Sequence, residues 1–468
     1  MTTLARSFLS QLRALLEPVD LLTDPADCWP YGYDNSRRHA PPAAVALPRS
    51  HDTVREIIRL CNTHHVAVVP RGRGTGTTGA TVPTHGELVL SLERMNRIVR
   101  IDQANRYAVV EPGVTNQQVQ DAVAQQGFFW PPDPTSAAYC SIGGNLAYNS
   151  AGPRAVKYGT PRDNVLGLRA VTGAGQEIRT GVFTTKGVVG YDLTRLLIGS
   201  EGTLAVITEA TLKLSPVPEA KHTLRAIYSG IEPAAEAVAS IMAQPIVPCS
   251  LEFMDAQAIA MIRDYSQVEL PRQAGALLMI EVDGPAACIE HARERVGAAA
   301  QNTGLLELKT AATVEEVDQL WAMRKALSPA LRKIAPKKIN EDVVVPVSNI
   351  PALVNGLADL AREYNIKIVN FGHAGNGNIH VNLLIDPDDP EQAKSALLCL
   401  DRVFDLVLTL NGTLSGEHGI GLEKRVFIAR EIEPATLGLM RGIKRQFDPN
   451  GLLNPGKMLP AREPEADA

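Results

Sequence analysis

At 468 residues the chain is too long for one ordinary hydrophobic core, so two or three domains are expected. Its 45% hydrophobic and 21% charged residues are those of a globular protein, and a net charge of −5 gives no ground for nucleic-acid binding. The six cysteines stand far apart with no C-x-x-C spacing, which excludes a zinc knuckle or thioredoxin-like motif and suits free thiols in a cytoplasmic protein.

In chain order, residues 1–18 place Leu4, Phe8, Leu9, Leu12, Leu15 and Leu16 at helical spacing around Arg6 and Arg13, which reads as a helix rather than a signal peptide. No stretch approaches the ~20 apolar residues that span a bilayer. The expected location is the cytoplasm, with peripheral contact at the inner membrane as the alternative. Segments 66–70, 88–92, 107–111, 165–171 and 204–214 read as strands, and 53–64 and 116–126 as helices. Pro216 and Pro218 mark a boundary. Beyond them, strands at 224–228, 250–254 and 276–282 with helices at 232–243 and 286–303 give a split βαβ pattern suited to a ferredoxin-like sheet. The texture repeats: strand 343–346, helix 350–364, strands 367–371 and 379–385, helix 390–410. The densest basic run, Arg332, Lys333, Lys337 and Lys338, reads as a solvated helix end, and the polar tail after Pro460 as frayed.

Three glycine-rich stretches carry the first chemical signal. Arg71-Gly72-Arg73-Gly74-Thr75-Gly76 follows the strand at 66–70, and its glycines let successive amides turn inward toward an anion. Gly74, Gly76 and Gly79 fit G-x-G-x-x-G, but the β-branched run to Pro83 does not open the helix that a Rossmann loop requires. Pro132, Asp133, Ser136, Ser141, Gly143, Gly144, Asn145, Ala151 and Gly152 form a second small-residue stretch. A third runs from Gly199 through Glu201 and Gly202 to Val206 and Ile207. Three such loops in one domain suit a long ligand with a pyrophosphate.

The second signal is a pair of histidine motifs. Gly372-His373-Ala374-Gly375-Asn376-Gly377-Asn378-Ile379-His380 is followed later by Gly416-Glu417-His418-Gly419. His380 and Asn382 share a strand face, whereas His373, seven residues before His380, faces the other way on an unbroken strand. Residues 374–378 must therefore bend if the two histidines are to converge. Imidazoles plus a carboxylate suit Zn²⁺, Mn²⁺ or Fe²⁺ with positions left open for substrate.

Taken together these motifs resemble the vanillyl-alcohol oxidase and p-cresol methylhydroxylase superfamily of flavoproteins, over about residues 31–458. The nearest branch resembles D-lactate dehydrogenases, the glycolate oxidase catalytic subunit and D-2-hydroxyglutarate dehydrogenases. The resemblance implies an α+β fold: a two-subdomain FAD-binding domain of the p-cresol methylhydroxylase type (1–216), a ferredoxin-like α/β cap (217–411) and a C-terminal segment (412–468) returning to the flavin. It implies FAD, held non-covalently because the first loop has no His or Cys. Arg71 to Gly76 would wrap the pyrophosphate, the second stretch would line the phosphate, ribityl and ring path, and Glu201, Gly202, Val206 and Ile207 would hold the adenine end or ribose. Asn454 would touch the flavin ring.

By the same resemblance His373, His380 and Glu417 are metal ligands, His418 is the base, and Arg324, in Trp321-Ala322-Met323-Arg324, binds the substrate carboxylate. Ser328 and Asn382 would add polar contacts. A lysine for a distal carboxylate precedes the D-x-x-x-P strand in members acting on D-2-hydroxyglutarate; here Asn340 holds its place by spacing from Asp342, with Lys338 two residues off on the same face. The implied activity is oxidation of a D-2-hydroxy acid, D-lactate or glycolate first and D-2-hydroxyglutarate or D-malate next. Electrons would pass to an electron-transfer flavoprotein, quinone or cytochrome, and a homodimer is among the expectations. The alternatives are a metal-independent alcohol or sugar oxidase of the superfamily and a binding protein without turnover.

Overall fold

The computed structural model describes residues 4–263 and 269–461. The tail expected to fray lies, from residue 462, outside the described residues, as does the Arg332 side chain. The chain divides into two compact units: residues 1–151, 159–217 and 417–468 form the first, and residues 152–158 and 218–416 the second. Among the described residues no helix is long and apolar enough to cross a membrane.

Among the described residues the first unit holds eleven strands: β1 (Leu21–Leu22), β2 (Ala44–Ala46), β3 (Val68–Arg71), β4 (Leu88–Ser91), β5 (Ile98–Asp102), β6 (Tyr107–Val110), β7 (Phe128–Phe129), β8 (Val165–Thr172), β9 (Glu177–Gly181), β10 (Ala205–Lys213) and β11 (Ser215–Pro216). They form a four-stranded sheet β1-β2-β4-β3, a five-stranded sheet β5-β6-β10-β8-β9 and a β11-β7 pair. The N-terminal pattern forms the helix Arg6–Ala14, whose buried Phe8 and Leu12 join Val54, Ile57, Ile58 and Cys61 of the helix His51–His64 in one core. The Ser50 hydroxyl caps that second helix by accepting from the Thr53 amide at 3.2 Å. Around the larger sheet, Trp130, Ile142, Leu146, Leu168 and Leu212 build a second core. The C-terminal segment supplies Leu453, which bridges in parallel to Val68 beside β3.

The second unit holds β12 (Ala220–Tyr228), β13 (Ser250–Asp255), β14 (Ala276–Gly284), β15 (Leu305–Thr310), β16 (Lys337–Val344), β17 (Lys367–His373) and β18 (Asn378–Ile385). They make one sheet in the order β15-β12-β14-β13-β17-β18-β16. The first four strands, with helices Ile231–Ala243 and Ile289–Ala299, run βαββαβ in the spatial order fourth-first-third-second, all neighbours antiparallel, which is the ferredoxin-like arrangement. The last three repeat its first-third-second part, and the halves join where β13 pairs with β17. β1, β2, β5, β7, β9, β11 and β15 were not among the sequence expectations, and β16 starts six residues before the expected 343. Helix Val314–Ile334 lies on one sheet face, where its Leu320, Met323 and Leu327 pack with Met254, Met279, Val369 and Phe371.

Candidate active site

In the first unit, Pro70, Arg71 and Gly72 at the end of β3 line a narrow cleft, open in part to solvent. Gly143, Gly144, Ala147 and Tyr148 of the short helix Ile142–Tyr148, residues Ser200–Gly202 and residues Ala205–Ile207 complete most of its wall. Close packing makes glycine necessary here. A Cβ on Gly72 would stand 2.4 Å from Ser141 Oγ, and one on Gly143 2.7 Å from Pro112 Cβ. The wall thus offers mostly backbone and small side chains, with hydroxyls at Thr81 and Ser200, while the buried Thr77 hydroxyl beside it in sequence has no hydrogen-bond partner. That donor set fits a long phosphate-bearing ligand such as FAD.

Of the residues expected at FAD, Arg71, Gly72, Gly143, Gly144, Glu201, Gly202, Val206 and Ile207 line the cleft, joined by Tyr148 and Ala147, which the sequence reading missed. Arg73, Gly74, Thr75, Gly76, Pro132, Asp133, Ser136, Ser141, Asn145, Ala151, Gly152 and Asn454 are not among its lining residues. Several of these have structural tasks. Ser141 caps the helix by accepting from the Gly144 amide, and the Pro132 carbonyl accepts from Asn116 at 2.9 Å. The Asn454 amide donates to the Glu201 carbonyl at 2.8 Å and its oxygen accepts from Lys457 at 2.9 Å. The Arg71 guanidinium turns inward to the Tyr33 carbonyl at 2.8 Å.

Glu201 has a task that its sequence motif does not reveal. Its carboxylate accepts the amides of Ile420 at 2.6 Å and Gly421 at 2.7 Å, and so clamps the loop that carries His418. Thr78, in the first glycine-rich loop, donates to the His418 carbonyl at 3.4 Å. His418 is therefore tied to two cleft-forming segments of its own unit. Burial pushes the Glu201 carboxyl up to about 7, against the amide bonds and the charges of Lys424 and Lys457.

In the second unit the register decides which side chains meet. The chain reverses through residues Ala374–Asn376 and Gly377, whose φ of 73° suits glycine, and a Cβ there would lie 1.8 Å from the Val345 carbonyl oxygen. This hairpin pairs His373 with Asn378 and Phe371 with His380. The bend required between the two histidines is thus a full strand reversal, and it brings both rings to one face with centroids 5.4 Å apart. Across β18, Asp342 lies opposite His380 and Asn340 opposite Asn382; across β13, Glu252 lies opposite His373.

The helix Val314–Ile334 lowers polar groups onto the same face. Trp321 donates to Glu281 at 2.9 Å, Arg324 to Glu252 at 2.8 Å, and Ser328 accepts from Lys338 at 2.9 Å. The Arg324 guanidinium also lies 4.8 Å over the Phe371 ring. Asn382 is fully buried; its amide donates to the Val369 and His380 carbonyls, and its Oδ1 has no partner. Glu252 is fully buried and stands 2.5 Å from His373 Nδ1. Burial pushes its carboxyl up, but the charges of His373 and Arg324 outweigh that and hold it below the ordinary value.

His373 and His380 of the second unit offer two imidazoles on one sheet face, whereas Glu417 falls at the start of the first unit's last segment. Glu417 is the residue after Gly416, whose amide the Asp342 carboxylate of β16 accepts at 2.9 Å. His373 has Nδ1 at the Glu252 carboxylate, a contact that selects the tautomer with the lone pair on Nε2. Two imidazoles and a carboxylate are a donor set suited to Zn²⁺ or Mn²⁺.

Comparison with known proteins agrees with this architecture. Residues 217–458 match the family described as FAD linked oxidases, C-terminal domain, and residues 42–181 match the FAD binding domain. The chain belongs to the FAD-linked oxidases, and it is a flavin-dependent oxidoreductase. It is 42% identical to the glycolate oxidase subunit GlcD of Bacillus subtilis (strain 168), over 92% of this chain and 91% of the relative. It is 33% identical to a D-lactate dehydrogenase of Anaerostipes hadrus, covering 90% of each. To the D-2-hydroxyglutarate dehydrogenase of Stutzerimonas stutzeri (strain A1501) it is 32% identical, over 97% of this chain and 99% of the relative. A solved p-cresol methylhydroxylase shares the fold, with a TM-score of 0.78, 18% identity and 98% of each chain covered.

Proposed function

We propose that the protein oxidises a D-2-hydroxy acid of the D-lactate or glycolate class to the 2-oxo acid and passes the electrons to a separate acceptor: an electron-transfer flavoprotein, a quinone or a cytochrome. The observation that carries the reading is the polar row on one face of the second unit's sheet, where Glu252 joins Arg324 to His373 and His380 stands beside it. The likeness to a glycolate oxidase subunit and to a D-lactate dehydrogenase supports it. Arg324 binds the substrate carboxylate through the guanidinium nitrogens that Glu252 leaves over, a planar fork matched to a carboxylate. His373, His380 and Glu417 hold a divalent cation, Zn²⁺ or Mn²⁺. When bound, the cation supplies positive charge for the hydroxy-acid oxygens, and non-covalent FAD supplies the hydride acceptor. His418 removes the hydroxyl proton, on a loop whose geometry Glu201 fixes. Asn382 and Ser328 border the substrate.

A second reading, a longer dicarboxylic acid such as D-2-hydroxyglutarate or D-malate, is favoured by Lys338, which shares the face and donates to Ser328. A dye-reduction screen of both enantiomers of these acids and of glycolate, before and after chelation and with Zn²⁺ or Mn²⁺ restored, tests both readings. Reduction by a D-acid, lost on chelation and regained with metal, is expected. Equal turnover of the chelated protein would refute the metal's part, and no reduction by any D-2-hydroxy acid or glycolate would refute the substrate class. The expected location, cytoplasmic or peripheral at the inner membrane, is read out by fractionation of cells expressing the protein.

A further inference from the structure

Three buried acids of the second unit's sheet face have different tasks. Glu281 gathers Trp321 and Thr223. Asp342 takes the Gly416 amide and the Ser415 hydroxyl. Glu252 touches two groups to which the reaction gives separate roles. Its Oε1 is 2.5 Å from His373 Nδ1, and its Oε2 accepts from Arg324 Nε at 2.8 Å. Its relative exposure is 0%, and the side chains of His373 and Arg324 are 8% and 12% exposed.

A carboxylate is planar and its two oxygens move together. With Oε1 at the imidazole and Oε2 at the guanidinium, a shift that improves one contact disturbs the other. A carboxylate at Nδ1 fixes a ligand imidazole in the tautomer and orientation that present Nε2 to a cation. A carboxylate at arginine Nε fixes the guanidinium plane and leaves the terminal nitrogens to form a fork. Removing such a buried partner leaves the Arg324 guanidinium without its counter-charge, and the His373 imidazole without its acceptor, in a low-dielectric setting.

We propose that Glu252 is a positioning residue that couples metal binding to recognition of the substrate carboxylate. The inference rests on the reading of His373 as a ligand and Arg324 as the carboxylate anchor, and adds that the two are not independent. Affinity for the cation rises when a 2-hydroxycarboxylate is bound, and by linkage affinity for the acid rises by the same factor when the cation is bound.

The test uses the FAD-loaded full chain and the variant Glu252→Gln. Affinity for Zn²⁺ and Mn²⁺ is measured by chelator competition with and without D-lactate. KM and kcat for D-lactate, flavin content and circular dichroism are measured beside it. Expected are a ~10–100-fold weaker metal affinity, the scale of lost outer-shell partners, a KM for D-lactate raised by about tenfold, and a smaller D-lactate effect on metal affinity than in wild type, with flavin content unchanged. A purely structural ion pair would lower the unfolding temperature and leave metal affinity intact; that result in folded Glu252→Gln overturns the proposal. Should this variant not fold, Glu252→Asp decides. One methylene shorter, it reaches one partner but not both, so retention of wild-type metal affinity together with wild-type KM overturns the coupling. Wild-type protein that binds neither metal would overturn the reading of His373 as well, whereas metal binding equal in wild type and Glu252→Gln overturns the coupling alone.

Discussion

Replacing Glu201 by Gln isolates the electrostatic strain under the His418 loop. Glu201 is 5% exposed, and burial is the main reason its carboxyl rises from 4.5 to about 7. Between those values the folded chain keeps a proton that the unfolded chain has released. Native stability therefore falls as pH rises from about 4.5 to about 7 and is level above that window, because the folded state binds more protons there. At ~1.4 kcal/mol per unit, the Glu201 contribution is on the order of 3 kcal/mol. Urea unfolding of the FAD-loaded protein, followed by tryptophan fluorescence from about pH 5 to about pH 8, reads the slope. Asp255, which burial raises from 3.8 to about 6, adds a similar but lower-lying fall in wild type and variant alike. The difference between the two proteins thus reports Glu201. It should move by on the order of 3 kcal/mol in the variant's favour as pH rises through the window, because Gln has no proton to lose. Parallel curves across the window would refute the assignment of a protonated Glu201 to the folded state.

Further outcomes follow from the same geometry. Gly72→Ala places a Cβ 2.4 Å from Ser141 Oγ, so the purified variant should show a marked loss of visible flavin absorbance per chain. His380→Ala should keep its flavin but lose metal affinity, and kcat/KM should drop by at least ~10²-fold, the scale on which one preorganised charge acts in a transition state. Arg324→Lys keeps the charge and loses the fork; KM should rise ~10–100-fold in steady-state assays, equivalent to one charge-assisted hydrogen bond of ~1.5–3 kcal/mol. Gly377→Ala forces φ of 73° and a clash with the Val345 carbonyl. Its unfolding free energy should fall by at least ~1–3 kcal/mol, the usual size of such backbone strain.

The motifs that announce themselves in the sequence are those whose chemistry is local. The glycine-rich loop at 71–76 and the paired histidine strips could be seen without a fold, and the strand and helix order of 224–303 was enough to suggest the ferredoxin-like pattern. Glu252 could not be found that way. It is one acid in the strand Ser-Leu-Glu-Phe-Met-Asp, and it matters because antiparallel register sets it opposite His373, 121 residues away. Glu201 was visible as a motif member, but its carboxylate serves the amides of Ile420 and Gly421, a contact that only the chain's return could reveal. Two glycines in the first turn of the helix Ile142–Tyr148 hide it in the sequence; the Ser141 cap and the buried Ile142 and Leu146 hold it. Strand β15 was hidden because its Leu305–Thr310 pattern is only partly buried at the sheet's edge.

The bridge between Val68 and Leu453, with the Asn454 amide donating to the Val68 carbonyl at 2.8 Å, sets a timetable for synthesis. β3, which ends at the flavin cleft, is the outer strand of its sheet until the last segment of the chain arrives. On a ribosome adding ~5–20 residues per second, roughly 380 further residues separate the two partners, a delay of ~20–75 seconds. The inserted second unit is complete in sequence before the first can close. During that interval the nascent flavin domain presents an unpaired strand edge, a surface on which cellular chaperones act. Truncations that remove the C-terminal segment should therefore yield an aggregation-prone chain rather than a smaller flavoprotein.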